Sequence, residues 1–279
     1  MFYLILAIVS SACVSLFMRC GEKKISNNMA MFSANYLVCV ILARYFMGNV
    51  KVFTVESLSG FAAGLGIVSG ILFLGSFVML QYSIRKNGVI LSSVFMKLGI
   101  IIPTLAAIVI FGEKPRILQI VGILIAIAAI VMINLEKEES DRKTYKLLLI
   151  MLLLAGGITD SMSNTYDKVG NPEFKDYFLF YTFLAALLCA VALMLVKRKS
   201  ISVNDLIWGI AIGVPNYFSA RFLLLSLGDV PAIIVYPVYS VATIATVSLV
   251  SVVMFREKLG RRKIAAIGLI LVALVMINV

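Results

Sequence analysis

The chain contains no histidine. That single absence removes Ser–His–Asp catalysis, paired-histidine zinc chemistry and any histidine proton relay. Cysteine is sparse. Cys13, Cys20, Cys39 and Cys189 lie in or at the edge of apolar runs, with no Cys-x-x-Cys spacing. They read as small buried hydrophobes, with no disulfide framework and no metal site. Charge is scarce as well. Asp, Glu, Lys and Arg make up 14% of the 279 residues, against about 25% in soluble domains. No Walker A sequence or cofactor loop occurs, so no cofactor is expected and uphill work by nucleotide hydrolysis is excluded.

What the chain has in excess is apolar sequence. Its hydrophobic fraction is 62% and its mean hydropathy is +1.05. A soluble fold of this length could not hide so much apolar surface, so its solvent is lipid. The net charge of +11 comes from Lys and Arg clustered between apolar runs. The clusters carry no aromatic interleaving and no nucleic-acid motif, so they read as membrane topology. The expected partners are therefore the lipid bilayer and a small-molecule substrate, with no nucleic acid. A monomer satisfies the sequence, which sets no oligomeric state.

A spanning helix needs about 20 mostly apolar residues. That length picks out ten candidates, at 2–20, 29–48, 59–82, 88–111, 117–135, 146–166, 176–196, 205–227, 231–254 and 264–279. The first begins Met1-Phe2-Tyr3-Leu4 without a basic region ahead of it, so it reads as a span and not as a removable signal peptide. The polar run Glu136 to Lys143 falls between the fifth and sixth. It divides the chain into a first half at 1–135, a linker at 136–145 and a second half at 146–279.

The halves share a motif. Phe111-Gly112-Glu113-Lys114 leads into Val131-Met132-Ile133-Asn134, and Phe255-Arg256-Glu257-Lys258 leads into Val275-Met276-Ile277-Asn278, every matched pair 144 residues apart. Gly66-x-x-x-Gly70 likewise faces Gly209-x-x-x-Gly213 at an offset of 143. With five helices per half, the second half enters from the opposite side of the membrane. The expected fold is thus all-α and integral to the membrane: ten transmembrane helices as two inverted five-helix repeats. Seventeen Lys and Arg fall on one side and six on the other. Positive-inside logic puts the richer side in the cytoplasm and both termini outside.

The doubled Phe-x-Glu-Lys step, the five-plus-five layout and the length resemble the EamA-like branch of the drug/metabolite transporter superfamily over essentially the whole chain. The first copy, with Gly112 before Glu113, is the better match; Arg256 replaces the glycine in the second. The resemblance implies a secondary transporter of the bacterial cytoplasmic (inner) membrane, in a class that exports amino acids and other metabolites. It also implies cytoplasmic termini, the reverse of the charge count.

Charged side chains near the bilayer centre are costly, by about 2.5–3.5 kcal/mol on insertion scales, and face cavities or partners. Lys97, Asp160 and Arg221 stand out. At about 1.5 Å per residue they lie roughly 14, 21 and 25 Å from the basic side. Asp160 is expected to meet Arg221, with Lys97 nearby. One reading is a site for a zwitterion; the other is a structural ion pair that locks helices.

Gly156, Asp160, Ser163, Asn164 and Asp167 share one face of the sixth candidate, and Tyr236, Tyr239, Ser240 and Thr243 one face of the ninth. Ser93 lies one turn from Lys97, and Asn35 and Tyr36 belong to the second candidate. The expected substrate-binding set is therefore Asp160, Arg221, Lys97, Asn35, Tyr36, Ser93, Asn164, Tyr236 and Tyr239. Inter-helix hydrogen bonding is the plainer alternative for any single Ser or Thr. Tyrosine at the membrane interface is the plainer reading of Tyr36, Tyr45 and Tyr177.

Pro103, Pro215 and Pro237 lie inside spans and can kink them. Glu113 and Glu257 stand where one helix stops and the next starts, a place where a carboxylate satisfies N-terminal amides. Tyr166-Asp167 resembles one half of an intramembrane aspartyl protease site. The required Gly-x-Gly-Asp is missing, and Asp160 and Asp167 sit on one helix, so an enzyme is not expected. The functional classes left are a metabolite exporter, a proton-coupled drug or quaternary-ammonium exporter, and an uncoupled facilitator. Asp160 is the candidate for a proton-linked step.

Overall fold

The computed structural model describes residues 1–21, 24–48, 57–87, 92, 95–96, 98–134, 145–197, 199–255 and 261–278. Among them the regular structure is helical throughout. The elements are α1 (Phe2–Gly21), α2 (Asn28–Phe46), α3 (Ser57–Asn87), α4 (Ile101–Val109), α5 (Ile117–Asn134), α6 (Lys146–Val169), a 3-10 turn (Pro172–Phe174), α7 (Lys175–Lys197), α8 (Val203–Asp229), α9 (Ala232–Phe255) and α10 (Arg261–Asn278). Six of these segments are long and apolar enough to cross a membrane: α1, α2, Gly60–Leu80 of α3, α6, Pro172–Lys197 and α8. Three further apolar stretches, Ile117–Met132, Ala232–Val247 and Gly268–Ile277, are shorter. The chain is a multi-pass helical membrane protein.

The fourth candidate, expected as one span over 88–111, is interrupted. Residues Gly99 and Ile100 form a turn, and α4 has only nine residues. Two chemical facts account for the break. Pro103 in the first turn of α4 has no amide proton, which is tolerated there and not in a helix interior. Gly99 also lies against Gly157 of α6: a Cβ on Gly99 would stand 2.9 Å from the Gly157 amide nitrogen. At this turn the bonds tighten to Gly99 N–H to Met96 O at 3.2 Å and Ile102 N–H to Gly99 O at 2.9 Å.

The helices gather into two compact units. Unit 1 comprises Met1–Leu74 and Thr165–Asp229; unit 2 comprises Gly75–Asn164 and Val230–Val279. Each draws on both sequence halves, and α3 and α6 each contribute to both.

In unit 1, α8 lies against α1 and α2, and α7 lies against α2. Two glycine pairs set the helix approaches, and they do so in the same way. A Cβ on Gly66 would meet the Phe178 carbonyl at 2.7 Å, the Tyr181 Cβ at 2.9 Å and the Thr182 amide at 3.2 Å. A Cβ on Gly209 would meet the Met31 carbonyl at 2.5 Å, the Ala34 Cβ at 2.6 Å and the Asn35 amide at 3.2 Å. Carbonyl, Cβ and amide recur in the same order, on residues 147 apart. One turn on, Gly70 meets Thr182 and Ala185, and Gly213 meets Asn35 and Val38. The first half's α3 thus crosses the second half's α7 as the second half's α8 crosses the first half's α2. Small residues let the backbones approach this closely.

The α2 and α8 starts are tied together by one carboxylate. Asp205, fully buried, accepts from the amides of Ser26 at 2.7 Å, Asn27 at 3.2 Å and Ser202 at 2.9 Å. Asn27 caps α2 through the Met29 and Ala30 amides and donates to the Lys199 and Ser200 carbonyls.

In unit 2, α5 lies along α10, where Gly122 faces Ala273, Met276 and Ile277. The α4 end turns through Gly112 at φ 68°, with the Glu113 amide reaching back to the Ala107 carbonyl at 2.9 Å. Only glycine adopts this left-handed geometry without strain. Glu113 is then aimed at α9, where it accepts from the Ala232 and Ile233 amides at 3.1 and 2.9 Å. The expected cap is present, on a helix 119 residues distant. The second copy, at Arg256, Glu257 and Lys258, lies outside the described residues.

Candidate functional site

The residues singled out from sequence fall into both units. Lys97 and Ser93 lie outside the described residues.

In unit 2, Asp160 sits on α6 with its side chain exposed, and its carbonyl accepts from the Tyr236 hydroxyl at 2.7 Å. That bond ties α9 to α6 at the level of the expected site. One turn along α6, Asn164 is fully buried, and neither end of its amide has a partner among the described residues. On α9, Thr243 is 2% exposed with an unpartnered hydroxyl, while Tyr239 is half-buried. An unmet buried polar group costs about 1–3 kcal/mol. A residue that withholds both ends of an amide from the fold is therefore a natural anchor for water or a ligand.

Other polar side chains of α6 are already engaged. Thr159 and Ser161 donate to carbonyls of their own helix, and Asp167 pairs with Lys175 at 2.7 Å in unit 1.

In unit 1, the carboxylate that meets Arg221 is Asp176, in place of the expected Asp160. The guanidinium donates Nε to Oδ1 at 2.8 Å and a terminal nitrogen to Oδ2 at 3.1 Å. It also lies 4.2 Å from the Phe46 ring centroid. The correction has a topological cause. The short α7–α8 connection makes these helices antiparallel neighbours, so the start of α7 lies beside the end of α8. Depth along α8 alone does not count a carboxylate supplied from that first turn.

Asn35 on α2 accepts from the Asn216 amide at 3.1 Å, and both touch the buried Cys39 sulfur, at 3.6 and 3.7 Å. Tyr36 is fully buried among Phe32, Phe73 and Phe183, with no partner for its hydroxyl among the described residues. Tyr217 on α8 is equally buried and unpartnered, and its ring is 6.0 Å from Phe183. Phe183 thus separates two orphan phenols. The interface-belt reading of Tyr36 and Tyr177 does not hold, since both are buried; Tyr45, at 77% exposure, is compatible with it.

Sequence reasoning missed Asp176, Asn216 and Tyr217. Asp176 stands at a span boundary, where an acid reads as a helix end. Asn216 and Tyr217 follow Pro215 directly, and that proline is the available signal.

Two cavities open in unit 2. One, of about 210 Å³, is wholly apolar and lies between α4, α5 and Pro237. The other, of about 360 Å³, is lined by Glu113, Lys114, Arg116, Gln119 and the start of α9. Neither contains an expected site residue. No cluster of three or more metal-ligating side chains occurs among the described residues.

Helices of this length and apolarity define a multi-pass membrane protein, and several of its buried polar side chains have no partner among the described residues. Comparison with known proteins agrees at that level. Residues 177–270 match the family model described as Small Multidrug Resistance protein. The chain is 25% identical over 228 residues to an uncharacterized protein of Haemophilus influenzae, a match covering 79% of this chain and 77% of that one. A protein of known crystal structure aligns with a TM-score of 0.78 at 12% identity, covering 99% of this chain and 94% of its own. At that identity the likeness is one of fold.

Proposed function

We propose that the chain is a secondary transporter that exports a small polar or zwitterionic metabolite, such as an amino acid, by alternating access between inverted repeats. In this reading ten helices span the membrane as two five-helix repeats, in the manner of the EamA-like branch of the drug/metabolite transporter superfamily, at the bacterial inner membrane. The observation that carries it is the duplicated crossing. Gly66 of α3 against α7 and Gly209 of α8 against α2 meet carbonyl, Cβ and amide in the same order, on partner residues 147 apart. Two equivalent crossings that pair helices of one half with helices of the other support a duplicated architecture, of the kind in which repeats rock about a site between them. The match to Small Multidrug Resistance protein over 177–270 supports the transport class.

The binding set of the proposal is Asp160, Arg221, Asn35, Tyr36, Asn164, Tyr236 and Tyr239, with Lys97 and Ser93 retained from sequence. Asn164 supplies both a donor and an acceptor. Arg221 offers a carboxylate site if a substrate displaces Asp176. Asp160 supplies the cation end and the candidate proton-linked step.

The same family match favours a second reading, a proton-coupled exporter of drugs or quaternary ammonium cations. The buried rings of Tyr36, Tyr217 and Phe183 would then hold the cation. Thermal stabilisation of purified protein separates the two, because only a ligand of the folded state raises the unfolding temperature. A shift with amino acids and none with quaternary ammonium compounds is expected. The opposite pattern selects the second reading, and no shift with either class contradicts both.

A further inference from the structure

The two cavities of unit 2 lie on the same pair of helices, in sequence order. On α5, Gln119 lines the polar cavity, and the next residue, Ile120, lines the apolar one. On α9, Ile234 lines the polar cavity, and Pro237, one turn on, lines the apolar one. The two cavities therefore adjoin along α5 and α9, one polar and one apolar, as the head and stem of a single groove would.

The chemistry of each part is distinct. The stem, of about 210 Å³, is built from isoleucine and leucine with Thr104. The Thr104 hydroxyl is already bonded to the Ile100 carbonyl at 2.9 Å, so the stem offers an occupant no polar group. It is smaller than the roughly 300–1,000 Å³ typical of drug-sized pockets. It suits an alkyl chain. Left empty, its lining would forfeit dispersion contacts on one side.

The head carries two exposed cations, Lys114 and Arg116. Its one acid among the described lining residues, Glu113, accepts from the Ala232 and Ile233 amides, so two cations stand against one carboxylate and the head is net positive. The head therefore favours an anion.

We propose that this groove binds one anionic phospholipid, its phosphate at Lys114 and Arg116 and an acyl chain in the isoleucine stem. Basic pockets between spanning helices attract anionic headgroups in this way. The site holds no residue of the proposed substrate set, so it stands or falls apart from the transport reading.

The test is native mass spectrometry of the full-length protein in neutral detergent, titrated with dioleoyl phosphatidylglycerol or dioleoyl phosphatidylcholine. One phosphatidylglycerol is expected to be retained, with a Kd about tenfold below that of phosphatidylcholine. The double variant Lys114→Ala/Arg116→Ala abolishes that preference, and Ile123→Trp, which fills the stem, weakens both lipids. Lys146→Ala, an exposed lysine lining neither cavity, leaves the preference intact. Inorganic phosphate at millimolar concentration does not displace the lipid. Equal affinity for the two lipids, a preference that survives in the double variant, or the same loss in Lys146→Ala overturns the proposal. Displacement by phosphate overturns it too, since it marks a site for free anions. Both charge substitutions are on exposed side chains, so the double variant remains a decisive test even if Ile123→Trp fails to fold.

Discussion

Arg221 and Asp176 meet in a two-point ion pair, Nε to Oδ1 at 2.8 Å and a terminal guanidinium nitrogen to Oδ2 at 3.1 Å. The side chains are 20% and 27% exposed, so the pair is neither a surface contact nor fully desolvated. It joins the end of α8 to the start of α7, and Phe46 covers the guanidinium. Planar two-point geometry is a property of arginine that lysine lacks. Asp176→Asn and Arg221→Lys are each expected to lower stability by about 1 kcal/mol. A double-mutant cycle should recover a coupling of similar size. It is measured by chemical unfolding in detergent, and additive single effects would show that the pair contributes nothing.

The duplicated crossing makes a second prediction, in which two substitutions in different halves behave alike. Gly66→Ala and Gly209→Ala each place a methyl group against a backbone carbonyl, at 2.7 and 2.5 Å. Each is expected to destabilise by about 1–3 kcal/mol through overpacking. Gly60→Ala on α3 meets nothing within 4 Å. It should be neutral or slightly stabilising, because alanine favours helix over glycine. Melting temperatures of the three variants decide the matter, and a Gly66→Ala protein as stable as Gly60→Ala contradicts the packing.

Asp205 carries the ends of α2 and α8. Three amides and the Ser26 hydroxyl converge on its carboxylate in a fully buried setting. Asp205→Ala strands those donors. It is expected to cost about 3 kcal/mol or more, since bonds to charged groups are worth about 1.5–3 kcal/mol each. Asp205→Asn retains the shape and should lie between the two. Loss of folded yield in Asp205→Ala with partial recovery in Asp205→Asn is the outcome to look for by size-exclusion profile.

Glu113 performs a similar service for α9. Glu113→Gln keeps an acceptor and gives up the charge, whereas Glu113→Ala gives up both. A loss of about 1 kcal/mol is expected for the alanine variant and less for the glutamine. Hydrogen exchange at the Ala232 and Ile233 amides reports it locally. Unchanged protection in Glu113→Ala would show that the carboxylate does not cap α9.

Much of the fold is legible in the sequence because lipid demands long apolar helices. Candidate 176–196 is observed as Lys175–Lys197, and 205–227 as Val203–Asp229. The glycine pairs are legible as close-approach sites because their four-residue spacing puts both on one helix face; which helices they meet is not. The break at Gly99 is hidden because apolar content continues through the turn. The site is less legible. The α6 stripe leads to Asn164, whose amide is buried and, among the described residues, unpartnered. The partner of Arg221 escapes sequence reasoning because depth along one helix does not say which neighbour stands at that depth. Asp176, at a span boundary, looks like an end and serves as a counter-ion.

The central claim is tested most directly by flux in proteoliposomes containing purified protein, screened with amino acids and other small polar metabolites under an imposed pH gradient. Wild-type protein is expected to move at least one of them saturably and in response to the gradient, while Asp160→Asn reduces that flux about tenfold or more and loses the response. Full transport by Asp160→Asn, or no flux above protein-free liposomes for any compound, would contradict it.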